Sequence, residues 1–270
     1  MTVKTYVRPG TLEDAYRLAQ EKNAVVAGGM MWLRLEKKKT VGCLIDLSAL
    51  GLDKIEETGE DLRIGAYVTL RMLETDPGLN EYSHGLFAAS LKNVVGVQFR
   101  NLATVGGSVA GRFGFSDVIC VLAALGAEAE YCHAGRIPVE KLIKDGNAPE
   151  HDILTSVLLP KTRPLACAYQ AHRNTAADFP ALNCAVAVYP DGITCAVGAR
   201  PGRTAVLHLP ASELSVLHSD AARRAYAEKT AETLALGSNS RASEDYRRAL
   251  CAVLVRRVLE DADRQIAGKE

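Results

Sequence analysis

Two Gly-Gly pairs, Gly28-Gly29 and Gly106-Gly107, each follow an apolar, strand-like run: Ala24 to Ala27 before the first, and the stretch from Gln98 before the second. A chain that leaves a strand through two glycines can turn sharply, and without side chains its backbone N–H groups lie open to a ligand. Such loops suit the two phosphates of a pyrophosphate. The first pair leads through Met30 and Met31 into Trp32, Leu33 and Leu35, which read as a short helix whose N-terminus adds free amides and a partial positive charge. Beside the second pair, Thr104 and Ser108 add hydroxyls and Asp117 a carboxylate suited to ribose hydroxyls. Either pair alone reads most simply as a turn; two in similar settings favour a phosphate cradle.

The rest of the composition removes competing chemistries. Lys+Arg and Asp+Glu balance at 32 each, so no net field gathers nucleic acid or an anionic membrane. The longest apolar stretches, Val118 to Ala127 and Cys184 to Tyr189, fall short of the ~20 residues a membrane helix needs. The N-terminus has no apolar core of a secretion signal, so the cytoplasm is the expected compartment. Seven cysteines, at 43, 120, 132, 167, 184, 195 and 251, are never closer than eleven residues apart, which excludes CxxC zinc sites and the Cys runs of iron–sulfur clusters. The six histidines show no metal-ligand spacing, and neither a GxSxG elbow nor a GxxxxGK[ST] loop is present. Reactivity must come from a bound cofactor. No residue reads as a general base awaiting a substrate proton.

The 270 residues suffice for two structural units. Thr11 to Asp14 opens a helix running to Gln20 by a capping box, Ala24 to Ala27 and Cys43 to Leu47 read as strands, and the first fifty residues form a small α/β unit. Leu62 to Ala66 reads as strand and Leu70 to Glu74 as a helix stopped by Pro77-Gly78. A further helix begins at Leu86. Gln98 to Ala110 reads as a strand broken at Gly106-Gly107, Val118 to Leu125 as a helix ending at Gly126, and Ala127 to Cys132 as strand. From Ile153 onward the chain is strand-rich, with Asp191-Gly192 as a hairpin turn. Helices then follow over Ala221 to Leu236 and from Ser243 to about Ala262, the last with a stripe of Tyr246, Leu250, Val253, Leu254, Val258 and Leu259. The Glu36 to Lys39 run reads as a solvated helix end. A polar joint at Lys161 to Pro164 marks the expected domain boundary.

Longer strings carry a resemblance. Val26-Ala27-Gly28-Gly29-Met30-Met31-Trp32-Leu33 resembles the AGGTDL segment, and Arg100 to Ala110 resembles the RNxATIGGNIA segment, of the flavin-binding subunits of molybdenum hydroxylases, the family of xanthine and carbon monoxide dehydrogenases. Ser116-Asp117 with Val121 to Glu128 looks like that family's SD…LLALGAE continuation. Tyr169 to Leu182 looks like a degraded form of its K..RR…DFA strand, and Ser243 to Arg256 like its closing S..YR helix. Nearly the whole chain is covered, the middle third most specifically.

The resemblance implies an α+β fold: a two-lobed PCMH-type FAD-binding domain at 1–162, with lobes at about 1–52 and 53–162, followed by a C-terminal flavoprotein domain at 163–270 of antiparallel sheet plus helices. It implies an FAD pyrophosphate on the backbone of Ala27, Gly28, Gly29, Met30 and Met31, with Thr104, Gly107 and Ser108 touching the cofactor and Asp117 on its ribose or adenosine side. It also implies an oxidoreductase complex. A large partner would carry molybdopterin, a small partner two [2Fe-2S] clusters, and electrons would leave this flavoprotein for NAD+ or another acceptor. The protein would supply geometry and electrostatics while the flavin carries the redox chemistry.

This chain departs from the family at Met30, where relatives have Thr or Ser, at Ser108, where Asn is common, and at Gly111 to Phe115, which replaces a proline-bearing segment. Phe113 and Phe115 read as core in preference to flavin neighbours, as does Trp32; Arg112 reads as a solvated surface residue. His172-Arg173 occupies the position of a basic pair near the flavin side. Two other readings stand beside the family one: a free-standing FAD-dependent oxidase or dehydrogenase, which would need its own catalytic base, and a flavin-free assembly scaffold.

Overall fold

The computed structural model describes residues 1–36, 40–146 and 148–268; Lys37 to Lys39, part of the expected charged helix end, lie outside them. Helices and three open sheets form two compact units. One comprises Met1–Met72, Val97–Gly111 and Ala127–Lys161, the other Leu73–Gly96, Arg112–Gly126 and Thr162–Glu270. The chain crosses for the last time between Lys161 and Thr162, at the polar joint, but two earlier excursions also belong to the second unit. Among the described residues, no helix is long and apolar enough to cross a membrane.

In the first unit, β1 (Thr2–Val7), β2 (Ala24–Ala27) and β3 (Thr40–Asp46) form a parallel sheet in the order β1-β3-β2. The helix Leu12–Ala19 joins β1 to β2, with the Thr11 hydroxyl accepting from the Asp14 N–H at 3.1 Å. Its Ala15 and Ala19 pack with Cys43, Ile45 and Leu47, which places the core on one face of the central strand. A second, antiparallel sheet has the order β4-β5-β8-β6-β7, built from β4 (Ile55–Glu57), β5 (Asp61–Gly65), β6 (Glu128–Tyr131), β7 (Gly135–Pro138) and β8 (Leu154–Pro160).

The second unit is centred on the antiparallel order β12-β11-β10-β9, with β9 (Ala166–His172), β10 (Leu182–Tyr189), β11 (Gly192–Gly198) and β12 (Ala205–Pro210). Both faces of β10 are buried, and its sequence alternates accordingly. Leu182, Cys184, Val186 and Val188 join the core beneath the helices Asp220–Thr233 and Glu244–Ala267. The alternate residues Asn183, Ala185 and Ala187 are small, which admits the wholly buried helix Asp117–Ala124. Its Ser116 cap accepts from the Ile119 N–H at 3.2 Å.

Four expectations are corrected. Gln98 to Ala110 is not strand: it is the helices Val97–Arg100 and Val105–Gly111, tied down where Val105 and Gly106 donate to the carbonyls of Val68 and Ala66. These tertiary bonds override local strand propensity. The helix after the first Gly-Gly pair is only a 3-10 turn, Leu33–Leu35. Pro77 does follow the end of the helix Leu70–Thr75, but it also starts another, Pro77–Tyr82, capped by Asp76. The last helix extends to Ala267, and its buried stripe is Arg247, Cys251, Leu254, Val255, Val258, Leu259 and Ala262, with Tyr246 and Val253 exposed. The short strands β1, β4, β7 and β12 carry too little apolar alternation to stand out in the sequence.

Candidate functional site

The first glycine pair leaves β2 directly after Ala27, where the chain passes beneath the segment Leu102–Thr104. A Cβ on Gly29 would lie 1.6 Å from the Leu102 carbonyl oxygen, and one on Gly28 would lie 2.8 Å from the Thr104 hydroxyl. Only glycine allows this approach. Met30 then takes a left-handed conformation with φ 60°, unusual for a side-chain-bearing residue. Its side chain packs with Ala27, Val41 and Leu44, and its carbonyl accepts from the Arg34 N–H at 3.1 Å. Packing and hydrogen bonding together hold a conformation that costs about 1 kcal/mol or more on its own.

Among the described residues, none of the four N–H groups from Gly28 to Met31 donates to another protein group. Four consecutive half-buried amides, one residue left-handed, form a concave donor array of the kind that holds an anion. Ala27 differs, because its carbonyl is taken by the Tyr67 hydroxyl. That hydroxyl also accepts from the Leu47 N–H at 2.9 Å, and lies 3.4 Å from an Asp46 carboxylate oxygen. Burial, reinforced by Asp46, pushes the Tyr67 pKa up to about 12, so the hydroxyl keeps its proton at every ordinary pH. Asp46 in turn accepts from Tyr6 and from the Ser48 N–H.

The second pair works differently from the first. Val105 and Gly106 donate to Val68 and Ala66, Gly107 to the Thr104 hydroxyl at 3.1 Å, and Ser108 to the Thr104 carbonyl at 3.0 Å. Its amides are therefore engaged within the protein, and the loop is not a second backbone cradle. What it presents is side-chain chemistry. The Ser108 hydroxyl gives its proton to the Thr104 carbonyl at 2.9 Å, whereas Thr104 Oγ1 accepts from Gly107 and keeps its own proton for another acceptor. Gly106 is glycine because a Cβ there would meet Ala66 at 2.7 Å; at Gly107 only the Thr104 hydroxyl comes near. The structure thus brings Ala27 to Met31 together with Thr104, Gly107 and Ser108 in the first unit.

Asp117 lies in the second unit, in a buried polar cluster. Its Oδ1 accepts from the Tyr169 hydroxyl and from Asn183 Nδ2 at 2.8 Å, and its Oδ2 from Arg173 Nη2 at 2.7 Å. The Asp117 and Arg173 side chains are 5% and 7% exposed, so this ion pair is shielded from solvent screening. Burial alone would lower the Arg173 pKa, but the Asp117 charge outweighs it and holds the guanidinium firmly protonated. Burial and the same carboxylate push the Tyr169 hydroxyl far up. A carboxylate has about four lone-pair directions, so three donors leave Asp117 one. His172, the other member of the basic pair, bonds the Tyr246 hydroxyl at 3.0 Å instead.

Phe113 and Phe115 are half-buried and stacked at 5.2 Å, in place of the expected core position. Phe115 also packs on Phe179 at 4.4 Å, over which the Arg241 guanidinium sits 4.9 Å from the ring centre. Phe115, Phe179 and Arg241, together with Pro201 and Arg203, border a cavity of about 290 Å³ in the second unit. Trp32 is half-buried, edge-on to Phe99 at 6.3 Å. Among the described residues, no group of His, Cys, Asp and Glu has a metal-binding arrangement. Tyr67 and Asp46 had no sequence signal: they stand twenty-one residues apart, and only the fold joins them to the first loop.

Comparison with known proteins gives the family and the fold. Residues 1–162 match the family model described as the FAD binding domain in molybdopterin dehydrogenase. The medium subunit of nicotine 6-hydroxylase from Paenarthrobacter nicotinovorans is 28% identical, the alignment covering 95% of this chain and 96% of that protein. In fold, the chain is similar to quinoline 2-oxidoreductase from Pseudomonas putida 86, with a TM-score of 0.84, 22% identity and 97% of each chain covered. It is also similar to carbon monoxide dehydrogenase from Hydrogenophaga pseudoflava, with a TM-score of 0.79, 22% identity and 97% of each chain covered.

Proposed function

This chain belongs to the family of FAD-binding domains of molybdopterin dehydrogenases, and we propose that it is the electron-exit subunit of such a complex, holding the FAD pyrophosphate on the loop Ala27–Met31. The observation that carries the reading is the row of four N–H groups, Gly28 to Met31, without a partner among the described residues. The fit is also steric: Gly28 and Gly29, which have no side chains, tuck beneath Leu102–Thr104. The loss of a hydroxyl at Met30 leaves the amide donor in place, and the free Thr104 hydroxyl proton supplies a side-chain donor to phosphate in its stead. Gly107 leaves room at the cofactor and Ser108 can accept a hydrogen bond there.

Bound FAD supplies the isoalloxazine that takes up and releases electrons. The residues of this chain bind and orient it, and contribute no acid or base to substrate chemistry. The medium-subunit relative supports a large molybdopterin partner and a small [2Fe-2S] partner, from which electrons reach this subunit before leaving for NAD+ or another acceptor. No disulfide joins the cysteines among the described residues, which favours a reducing compartment such as the cytoplasm.

The test is an absorbance spectrum of the protein purified under mild conditions with its co-purifying chains, taken before and after NADH. Stoichiometric flavin bleached by NADH, with a large and a small partner present, supports the full reading. Flavin that bleaches only with another donor moves the acceptor away from NAD+. No flavin after reconstitution with FAD overturns the cofactor assignment and favours a scaffold.

A further inference from the structure

The Tyr67 hydroxyl meets the chain at the one peptide that opens the phosphate loop. It donates to the Ala27 carbonyl, and it accepts from the Leu47 N–H at 2.9 Å. The Ala27 carbonyl and the Gly28 N–H belong to the same planar trans peptide and point in opposite directions. Anchoring the carbonyl on Tyr67 therefore turns the Gly28 N–H away from Tyr67. That N–H has no partner among the described residues. The anchor itself is firm: the Tyr67 ring packs against the Ala15, Cys43, Ile45 and Leu47 core, and Asp46 lies 3.4 Å from its oxygen.

We propose that Tyr67 is a positioning residue for FAD, fixing the Ala27–Gly28 peptide so that the first amide of the loop faces the pyrophosphate. This rests on the FAD reading above. Tyr67 touches no phosphate; it acts through one peptide plane. Without the hydroxyl, the peptide can rotate and the Gly28 N–H must be reoriented each time an anion binds, so affinity falls for any ligand that carries the pyrophosphate and for no other.

The experiment compares Tyr67→Phe with the unaltered full chain, both stripped of flavin. FAD, ADP and riboflavin are titrated calorimetrically, with Ile45→Val as a control that loses core packing in the same sheet without touching the Ala27 carbonyl. Tyr67→Phe keeps the ring and therefore the packing; far-ultraviolet circular dichroism confirms that it folds. The expected result is a loss of about three- to tenfold in affinity for both FAD and ADP, unchanged affinity for riboflavin, and no loss of ADP affinity in Ile45→Val. Equal ADP affinity in Tyr67→Phe and the unaltered chain overturns the proposal, as does an equal loss in Ile45→Val. Failure of the unaltered chain to bind either FAD or ADP overturns instead the cofactor reading on which it rests. If Tyr67→Phe does not fold, Tyr67→Leu, which keeps an apolar side chain without the donor, decides: unaltered riboflavin binding with weakened ADP binding supports the role, and unaltered ADP binding overturns it.

Discussion

Replacing Gly29 by alanine tests the loop architecture directly. The added Cβ would stand 1.6 Å from the Leu102 carbonyl oxygen, 2.4 Å from its carbon and 3.0 Å from the Ala103 Cα, all of them backbone atoms. Reaching even a tight contact of 3.0 Å requires the two segments to part by about 1.4 Å. No rotamer change relieves this, so the cost falls in the upper part of the range for overpacking, about 2–3 kcal/mol. For a chain of this size the melting temperature should fall by roughly 5–10 °C. The displacement also moves the Gly28 to Met31 amides, so FAD affinity should fall at least about tenfold, near 1.4 kcal/mol. Differential scanning calorimetry and flavin titration read the two effects. Gly107→Ala is the comparison: its Cβ meets only the Thr104 hydroxyl at 3.1 Å, so it should cost under about 0.5 kcal/mol and weaken FAD binding alone. Gly29→Ala with unchanged melting would refute the close approach of the two loops.

Three further outcomes follow from the same structure. Asp117→Ala removes the counter-charge from the buried Arg173 and should destabilise the second unit by about 3–5 kcal/mol, read by urea denaturation; a change below about 1 kcal/mol would contradict the buried pair. Arg247 is fully buried and donates to the carbonyls of Ala181, Gly237 and Ala242 and to Asn239. Arg247→Met should therefore cost about 2–4 kcal/mol through unpaired acceptors, and increased tryptic cleavage at Arg241 in native protein would report the loosened segment. Burial alone would raise the Glu130 pKa, but its bonds to Arg63 and Ser156 and the nearby Arg136 charge lower it below the ordinary 4.5. A depressed carboxyl stabilises fully above its unfolded value and loses that contribution as pH falls through the folded one. Melting should thus decline as pH drops below about 4.5, less so in Glu130→Gln, and equal acid dependence in the two proteins would reject the role.

The first glycine pair was legible because its function needs a local property, the absence of side chains at Gly28 and Gly29. The second was legible as a motif and misread as a structure: Gly106 and Gly107 look the same as Gly28 and Gly29 in sequence, yet their amides are engaged by Ala66 and Thr104. Glycine next to glycine states that space is short or that the backbone must turn. It does not state which backbone fills the space. In the same way the apolar helix Asp117–Ala124 was readable from its residues, while the three donors that surround Asp117 come from β9, β10 and the residue just after β9, more than fifty residues on.

By itself the sequence determined the family, the mixed helix and sheet character, and the loop where phosphate chemistry is possible, because these depend on short strings and on periodicity. Tertiary structure decided which amides remain free, how Met30 is held left-handed, that Arg247 and not Tyr246 faces the core, and that Tyr67 anchors the Ala27 carbonyl. Each of these depends on whether a donor meets an acceptor from a distant segment, and local propensity carries no information about a partner that only folding brings within 3 Å.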